Sequence, residues 1–200
     1  MDGSSSRPER VSSPIDAALP RSSAGGSLAP GALVVGIDPG TRVLGYGAVR
    51  VEPRGAKFVT AGVFQPPASL ALPERLARIA IGLDELMAEL RPTVVAVERA
   101  FGGKNVQSAL RLGEARGVAL AAAARVDARV VELAPAEAKR MVVGSGAADK
   151  EQVAAMVLRQ LGLTDPGGPR DATDALAVAL AHVLADRSVG LRTAARPRRG

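Results

Sequence analysis

The sequence predicts an α/β domain in which a mixed five-stranded sheet carries helices on both faces. Two observations lead to this prediction. Three short runs rich in apolar and β-branched residues follow one another with only tight turns between them, which is typical of an antiparallel meander. Helical and strand-like segments then alternate, which indicates crossover connections that add parallel strands to the same sheet.

The meander is predicted to begin at an apolar run that ends in a carboxylate. Its first strand is Leu33–Asp38, which breaks at Pro39-Gly40. The second strand is Arg42–Val51, and the third is Lys57–Gln65. The turn between these two strands contains Pro53–Ala56. Such short connections place consecutive strands side by side and antiparallel.

The rest of the chain is predicted from its periodicity and from its helix-breaking residues. Pro73 opens a helix with an apolar stripe at helical spacing, and Arg91-Pro92 ends it. The fourth and fifth strands are Thr93–Glu98 and Arg129–Leu133. The other predicted helices are Asn105–Arg125, Ala136–Val143, Lys150–Leu161 and Arg170–Ala185.

The composition divides the chain into three parts. Residues 1–30 are rich in Ser, Pro, Gly and Ala without any periodicity, and we expect a disordered N-terminal extension. Residues 31–186 form the predicted folded domain. Residues 187–200 contain five arginines and no acid, and they account for most of the net charge of +6. This basic, disordered tail suits an anionic polymer as partner, or serves only to keep the protein soluble.

Several classes of protein are excluded by composition. The chain has no cysteine, so it has neither disulfide bonds nor a thiolate metal site. This suits the reducing cytoplasm, where we expect the protein. No apolar run approaches the roughly 18–20 residues of a membrane span, and the N-terminus lacks the apolar segment of a signal peptide. We therefore expect no membrane association.

Four carboxylates carry the functional prediction. Two predicted strands end in an acid, Asp38 and Glu98, and the last helix adds Asp171 and Asp174 on one face near its N-terminus. If the two strands are neighbours, all four acids meet at one edge of the sheet. Crowded carboxylates repel one another, and Mg²⁺ or Mn²⁺ with all-oxygen ligands relieves that repulsion. The set is typical of two-metal phosphodiester hydrolysis, in which no protein nucleophile is required.

Each acid alone has a simpler interpretation. Asp38 precedes Pro-Gly and is then an ordinary turn residue. Glu98 can pair with the adjacent Arg99, and Asp171 can cap the last helix. We favour the metal interpretation because all four acids lie at the ends of core elements. The only histidine, His182, is expected to be a packed or surface helix residue without a catalytic role.

Five blocks in order resemble the RuvC family of Holliday junction resolvases, within the RNase H-like nucleases. They are GIDPGTRVLGYG (36–47), VAVERAF (95–101), KNVQSALRLGEARGVA (104–119), ELAPAEAKRMVVGSGAADK (132–150) and DATDALAVAL (171–180). The resemblance implies an RNase H-like fold and a metal-dependent endonuclease that nicks opposed strands of a four-way junction symmetrically. It implies two Mg²⁺ ions per subunit, with Mn²⁺ as a substitute. It also makes Asp38, Glu98, Asp171 and Asp174 the metal-binding catalytic acids, and places Lys139 and Lys150 near the scissile phosphate.

The resemblance also implies contacts to DNA. Phe101 matches an aromatic residue associated with junction engagement, where it can stack on a base, although it can equally pack at the start of the following helix. Lys104, Arg111 and Arg116 are candidates for phosphate contacts, and solvated helix charges are the simpler interpretation.

The expected partners are a second copy of the chain, four-way junction DNA and the RuvA–RuvB branch-migration complex. In the long helix, the small residues Ala109, Gly113, Gly117 and Ala121 recur every four positions. This ridge suits a dimer seam by analogy with the family, and it can equally pack on the chain's own sheet.

Two other functions compete with the nuclease. GIDPGT also resembles the first phosphate loop of sugar kinases and actin-like ATPases, but the chain is short and lacks a second glycine-rich phosphate motif. A structural nucleic-acid binder, in which the acids only cap and pair, predicts junction binding that is independent of metal and yields no nicked product.

Overall fold

The computed structural model describes residues 27–99, 106–165 and 168–194 of the 200-residue chain. Phe101 and Lys104 lie outside these residues. The strands are β1 (Leu33–Asp38), β2 (Leu44–Glu52), β3 (Gly55–Phe64), β4 (Val94–Glu98) and β5 (Arg129–Leu133). The helices are α1 (Leu72–Leu90), α2 (Val106–Arg125), α3 (Pro135–Val143), α4 (Lys150–Leu161) and α5 (Arg170–Ala194).

The strands form one mixed sheet in the order β3-β2-β1-β4-β5. The meander pairs β1 with β2 and β2 with β3 in antiparallel fashion, whereas β4 runs parallel to both β1 and β5. This confirms the predicted five-stranded mixed sheet. The topology makes β1 and β4 central neighbours, so their carboxyl ends lie at the same edge.

Helices cover both faces of the sheet, as predicted. One core cluster contains buried residues of α1 and α2 packed on alternate residues of β1, such as Val35 and Ile37. The other contains buried residues of α3, α4 and α5 packed on Val34 and Ala96. Side chains on a strand alternate between its two faces, so Gly36 and Glu98, two positions after Val34 and Ala96, also lie on the face covered by α5. None of the helices in the described ranges is long and apolar enough to cross a membrane.

The last helix is longer than predicted. It continues to Ala194, whereas the sequence suggested an end at Ala185. The apolar periodicity fades after Ala185, but the Arg187 side chain donates to the backbone carbonyl of Glu52 at 3.2 Å, which joins the start of the extra turns to the end of β2. The prediction that disorder begins at residue 187 is therefore wrong for the helical part of that segment.

The N-terminal edge of the fold also lies outside the predicted domain. The hydroxyl of Ser27 and the backbone N–H of Leu28 both donate to Asp186, at 3.0 and 2.9 Å. Contacts with the folded domain thus begin before residue 31. They depend on Asp186 of α5, which is distant in sequence and accepts both hydrogen bonds. Strand β2 begins at Leu44 rather than at the predicted Arg42.

Candidate active site

Strands β1 and β4 bring Asp38 and Glu98 together. Ile37 pairs with Val97 in the parallel register, so each acid follows a paired residue at the same edge of the sheet. Both side chains point to the face covered by α5, because they alternate with residues of the opposite core. Asp38 is therefore the last residue of a strand, and the interpretation as an ordinary turn residue is wrong.

Helix α5 lies over this edge and adds the other two acids. Asp171 is in the first turn of α5, and Asp174 follows about one turn later. Since α5 begins at Arg170, Asp171 lies inside the helix rather than at its N-cap. The alternative partner for Glu98 is also excluded, because Arg99 pairs with Glu132 instead, at 3.9 Å.

A cavity of about 150 Å³ opens between the sheet edge, α3, α4 and α5. Three of the predicted acids and both predicted lysines line it, namely Asp38, Glu98, Asp174, Lys139 and Lys150. Asp171 does not line the cavity, but its carboxylate is close enough to raise the pKa of Asp38. The structure thus gathers these residues from five separate elements, β1, β4, α3, α4 and α5, around one small space.

The electrostatics of this cavity favour uptake of positive charge. Burial raises the pKa of Asp38 to about 7, and the carboxylates of Glu98 and Asp174 add to that effect. Burial and Asp174 likewise raise the pKa of Glu98, despite a hydrogen bond with the Asp38 side chain. Two partly desolvated carboxyl groups therefore lie side by side where a cation would neutralise their charge.

The two lysines have different roles in the structure. The Nζ atom of Lys150 donates to Oδ2 of Asp174 at 2.8 Å, and this bond raises the pKa of Lys150. The Nζ atom of Lys139 donates to the carbonyl oxygen of Ala148 at 2.7 Å. Lys139 therefore ties α3 to the residues just before α4, while its charge also lowers the pKa of Glu98.

The start of α4 is fixed by a residue that sequence reasoning missed. Asp149 is the N-cap of α4, and its carboxylate accepts a 2.7 Å hydrogen bond from the backbone N–H of Gln152. The Gln152 side chain accepts in return from the backbone N–H of Asp149. The D-x-x-Q spacing signals such a capping box. The cap holds Lys150, the next residue, at the mouth of the cavity.

The donor set suits a hard divalent cation. In the described part of the chain, no three acidic or histidine side chains are already arranged around one point as metal ligands. All the candidate ligands are carboxylate oxygens, which Mg²⁺ and Mn²⁺ prefer. Burial, and after it the neighbouring carboxylates, raise the pKa values of Asp38 and Glu98, and a bound cation would stabilise the charged forms against both effects. The residues present therefore fit a metal site.

The predicted DNA-binding arginines lie on α2, away from the cavity lining. Arg111 is exposed. Arg116 is partly buried and forms an ion pair with Glu132. His182 is buried on α5 and its ring contacts the Arg129 guanidinium at 3.2 Å, as expected for a packed helix residue.

The small-residue ridge of α2 faces away from the sheet. Helix α2 buries its opposite side, through residues such as Ala115, Ala119 and Ala122. Among the residues that the structure describes, none outside the adjacent turns of α2 comes within 4 Å of a Cβ built at Gly113 or Gly117. The alternative that this ridge packs on its own sheet is therefore wrong.

Comparison with known proteins adds independent findings. A family model described as crossover junction endodeoxyribonuclease RuvC matches residues 34–182. The chain is similar to the RuvC of Chlorobaculum parvum, with 45% identity over 147 residues, which cover 74% of this chain and 79% of that protein. It is also similar to the RuvC of Rubrobacter xylanophilus, with 40% identity over 166 residues, or 83% and 93% of the two chains.

A solved structure agrees with these matches. T. thermophilus RuvC in complex with a Holliday junction substrate superimposes with a TM-score of 0.74 at 35% identity. The match covers 79% of this chain and 96% of that chain. The RNase H-like fold expected from the sequence is thereby confirmed, and so is the resemblance on which it rested.

Proposed function

The chain belongs to the RuvC family of crossover junction endodeoxyribonucleases, and we propose that its cavity at the ends of β1 and β4 cuts four-way DNA junctions. The observation that carries this proposal is the convergence of Asp38, Glu98 and Asp174 in one cavity beside two lysines. Hydrolysis of a phosphodiester needs concentrated positive charge around the reacting phosphate. Family membership sets aside the sugar-kinase and actin-like alternative.

We propose that Asp38, Glu98, Asp171 and Asp174 hold two Mg²⁺ ions per subunit, for which Mn²⁺ substitutes. When bound, such ions lower the pKa of a water nucleophile and stabilise charge on the leaving oxygen. Asp38 and Glu98 supply carboxylates from rigid strand ends, and Asp174 supplies one from α5. Asp171 contributes from the rim of the cavity, since its charge acts on Asp38.

Lys150 and Lys139 serve different parts of the reaction. The ammonium group of Lys150 lies at the cavity mouth, beside Asp174, where an incoming phosphate oxygen can accept a hydrogen bond from it. Lys139 holds the connection before α4 through Ala148 and adds positive charge near Glu98. We propose that Lys150 contacts the substrate and that Lys139 fixes the position from which it does so.

We propose that DNA lies across the cavity edge and along α2. Arg111 is exposed and free to approach phosphates, whereas Arg116 must exchange its Glu132 partner to do so. Phe101 and Lys104 stay candidates for base stacking and phosphate contact. Phosphate contacts release counterions, so junction binding weakens steeply as salt rises.

We propose a homodimer that uses the outer face of α2. Val106 and Leu110 on this face are 74% and 57% exposed, and Gly113 and Gly117 continue the same side of the helix. Glycines that follow two exposed apolar side chains on the same side of a helix allow another helix to approach closely. A two-fold dimer presents two equivalent cavities, which suits symmetric nicks in opposed strands. The RuvA–RuvB complex and the cytoplasm stay predictions from the family.

A synthetic four-way junction tests the nuclease directly. We expect Mg²⁺-dependent nicks at symmetric positions in two opposed strands, mapped from the lengths of end-labelled products, and no nicks in a linear duplex of the same sequence. Equal cutting of the duplex, or cutting unaffected by EDTA, would contradict the proposal. Junction binding without any nicked product would favour the structural binder instead.

A further inference from the structure

Helix α5 packs directly on the backbone of β1 and β2 because three glycines face it. Gly36 pairs with Gly47 across the two strands, and Asp38 pairs with Gly45. Side chains on a sheet normally separate its backbone from a covering helix. At these three positions no Cβ intervenes, so the first half of α5 touches strand backbone.

The closeness of this contact is measured by what an added Cβ would meet. At Gly45 it would lie 2.1 Å from the carbonyl oxygen of Asp171, and at Gly36 it would lie 2.1 Å from that of Ala175. At Gly47 it would lie 2.7 Å from both the backbone nitrogen and Cγ of Leu176. Backbone atoms cannot rotate away as side chains do, so any substitution here moves the helix.

Gly45 occupies a special place among the three. Across the strand pair it is the partner of Asp38, and above it lies the backbone of Asp171. It therefore separates the acid on β1 from the turn of α5 that carries Asp171 and Asp174. A shift of α5 at this point changes the distance between the two groups of carboxylates.

We propose that Gly45 is a positioning residue that sets the spacing of the carboxylates on β1 and α5. This inference rests on the proposed metal-dependent nuclease site and adds a residue that does not touch metal or DNA. Gly45 would act through the geometry of the metal ligands, which controls both metal affinity and reaction rate. Loss of the structure that supports metal ligands weakens metal binding by about 10–100-fold. A misplacement of the reacting groups by about 1 Å can slow a reaction by about 100-fold.

The direct test is Gly45→Ala, with four measurements on the purified full-length protein, the last of them junction cleavage. Isothermal titration with Mn²⁺ reports the metal site, urea unfolding reports stability, and a junction-binding assay in EDTA reports the DNA surface. We expect Mn²⁺ binding about tenfold weaker or worse, with junction binding within about twofold of the wild type. Junction cleavage in Mg²⁺ is expected to fall at least in proportion.

Gly62→Ala is the matched control. The added Cβ would lie 2.6 Å from the Tyr46 hydroxyl oxygen, so this variant also introduces a steric clash at a strand glycine. Tyr46 packs with the core on the α1 and α2 side, away from α5. We expect this variant to lose stability while it keeps the wild-type Mn²⁺ affinity.

The outcomes separate this inference from the proposed function. If the wild type neither binds Mn²⁺ nor cuts junctions, the proposed function fails. If the wild type does both and folded Gly45→Ala binds Mn²⁺ equally well, only the role of Gly45 is overturned. If Gly45→Ala does not fold, Gly47→Ala takes its place, because part of its contact is with the movable Leu176 side chain. Unchanged Mn²⁺ affinity in that variant would likewise overturn the proposal.

Discussion

Lys150 and Asp174 join two helices at the mouth of the cavity, with Nζ of Lys150 2.8 Å from Oδ2 of Asp174. Lys150 is the first residue of α4, and Asp174 lies in the second turn of α5. A second ion pair, Arg170 with Glu151 at 2.7 Å, joins the same two helix starts. The pair of Lys150 and Asp174 places a fixed positive charge against a proposed metal ligand. It therefore connects substrate contact with metal affinity.

Replacement of Lys150 by alanine should separate these two effects. Without the ammonium group, Asp174 loses a competing cation, so the Mg²⁺ concentration that gives half-maximal cleavage should fall severalfold. The maximal rate should fall about tenfold or more, because a charged contact to the phosphate is lost. Cleavage rates measured over a Mg²⁺ titration check both changes.

Lys57→Ala is the control for charge, since Lys57 is exposed on β3. This variant should leave both the half-maximal Mg²⁺ concentration and the maximal cleavage rate unchanged. A Lys150→Ala variant with an unchanged maximal rate would remove Lys150 from the reaction.

Asp149 should affect activity through Lys150. Replacement of this N-cap by alanine removes the bond to Gln152, which should lower the free energy of unfolding by about 1 kcal/mol and slow cleavage. Asparagine is as good an N-cap as aspartate, so Asp149→Asn should retain stability and most of the activity. Urea unfolding and single-turnover cleavage test the pair. Equal loss in both variants would show that the charge, rather than the cap, is what matters.

The pKa of Asp38 predicts how stability depends on pH in EDTA. Burial raises this pKa from 3.8 to about 7, so between these values the folded protein retains a proton that the unfolded chain has lost. The folded state then binds more protons, and stability falls as pH rises from about 4 to 7. Above pH 7, where this penalty is complete, Asp38→Asn should increase the free energy of unfolding by roughly 1 to 3 kcal/mol.

Urea unfolding at pH 5 and pH 8 checks this prediction. The gain from Asp38→Asn should be clearly larger at pH 8. The exposed Asp127→Asn serves as control, since asparagine tolerates the positive φ of 58° at that position. An equal gain at both pH values would contradict the assignment of the raised pKa to Asp38.

The proposed dimer predicts a charge-sensitive position on α2. Leu110→Arg should convert the dimer to monomer, because it places a charge in the centre of the proposed seam. Ile81→Arg is the matched control, since Ile81 on α1 is 58% exposed, almost the same fraction as Leu110 at 57%. Sedimentation velocity should show a monomer for the first variant and a dimer for the second. The dimer seam lies elsewhere if Leu110→Arg stays dimeric.

The sequence predicted most of the architecture because its signals are local. The bounds of β1, β5 and α4 agree with the structure to the residue, since each is a short apolar or periodic run with a clear break at its end. Four acids at the ends of core elements also stood out. The fold class then followed from the order of the elements.

What the sequence missed depends on contacts between distant residues. The Arg187 side chain of α5 donates to the backbone carbonyl of Glu52, and the Lys139 ammonium group donates to the carbonyl oxygen of Ala148. The Glu132 carboxylate forms ion pairs with both Arg99 and Arg116. The role of Gly45 is also invisible in sequence, because it depends on which helix covers the strand. Composition and periodicity carry no information about such pairings.

The measurement closest to the central claim is Mn²⁺ binding to wild type, Asp38→Asn and Asp174→Asn by isothermal titration at pH 8, with Asp186→Asn on the same helix as control. If acids from β1 and α5 form one metal site, Asp38→Asn and Asp174→Asn should each weaken the same Mn²⁺ binding event by about tenfold or more. Asp186→Asn should bind Mn²⁺ as the wild type does. Wild-type Mn²⁺ affinity in Asp174→Asn would contradict a shared site.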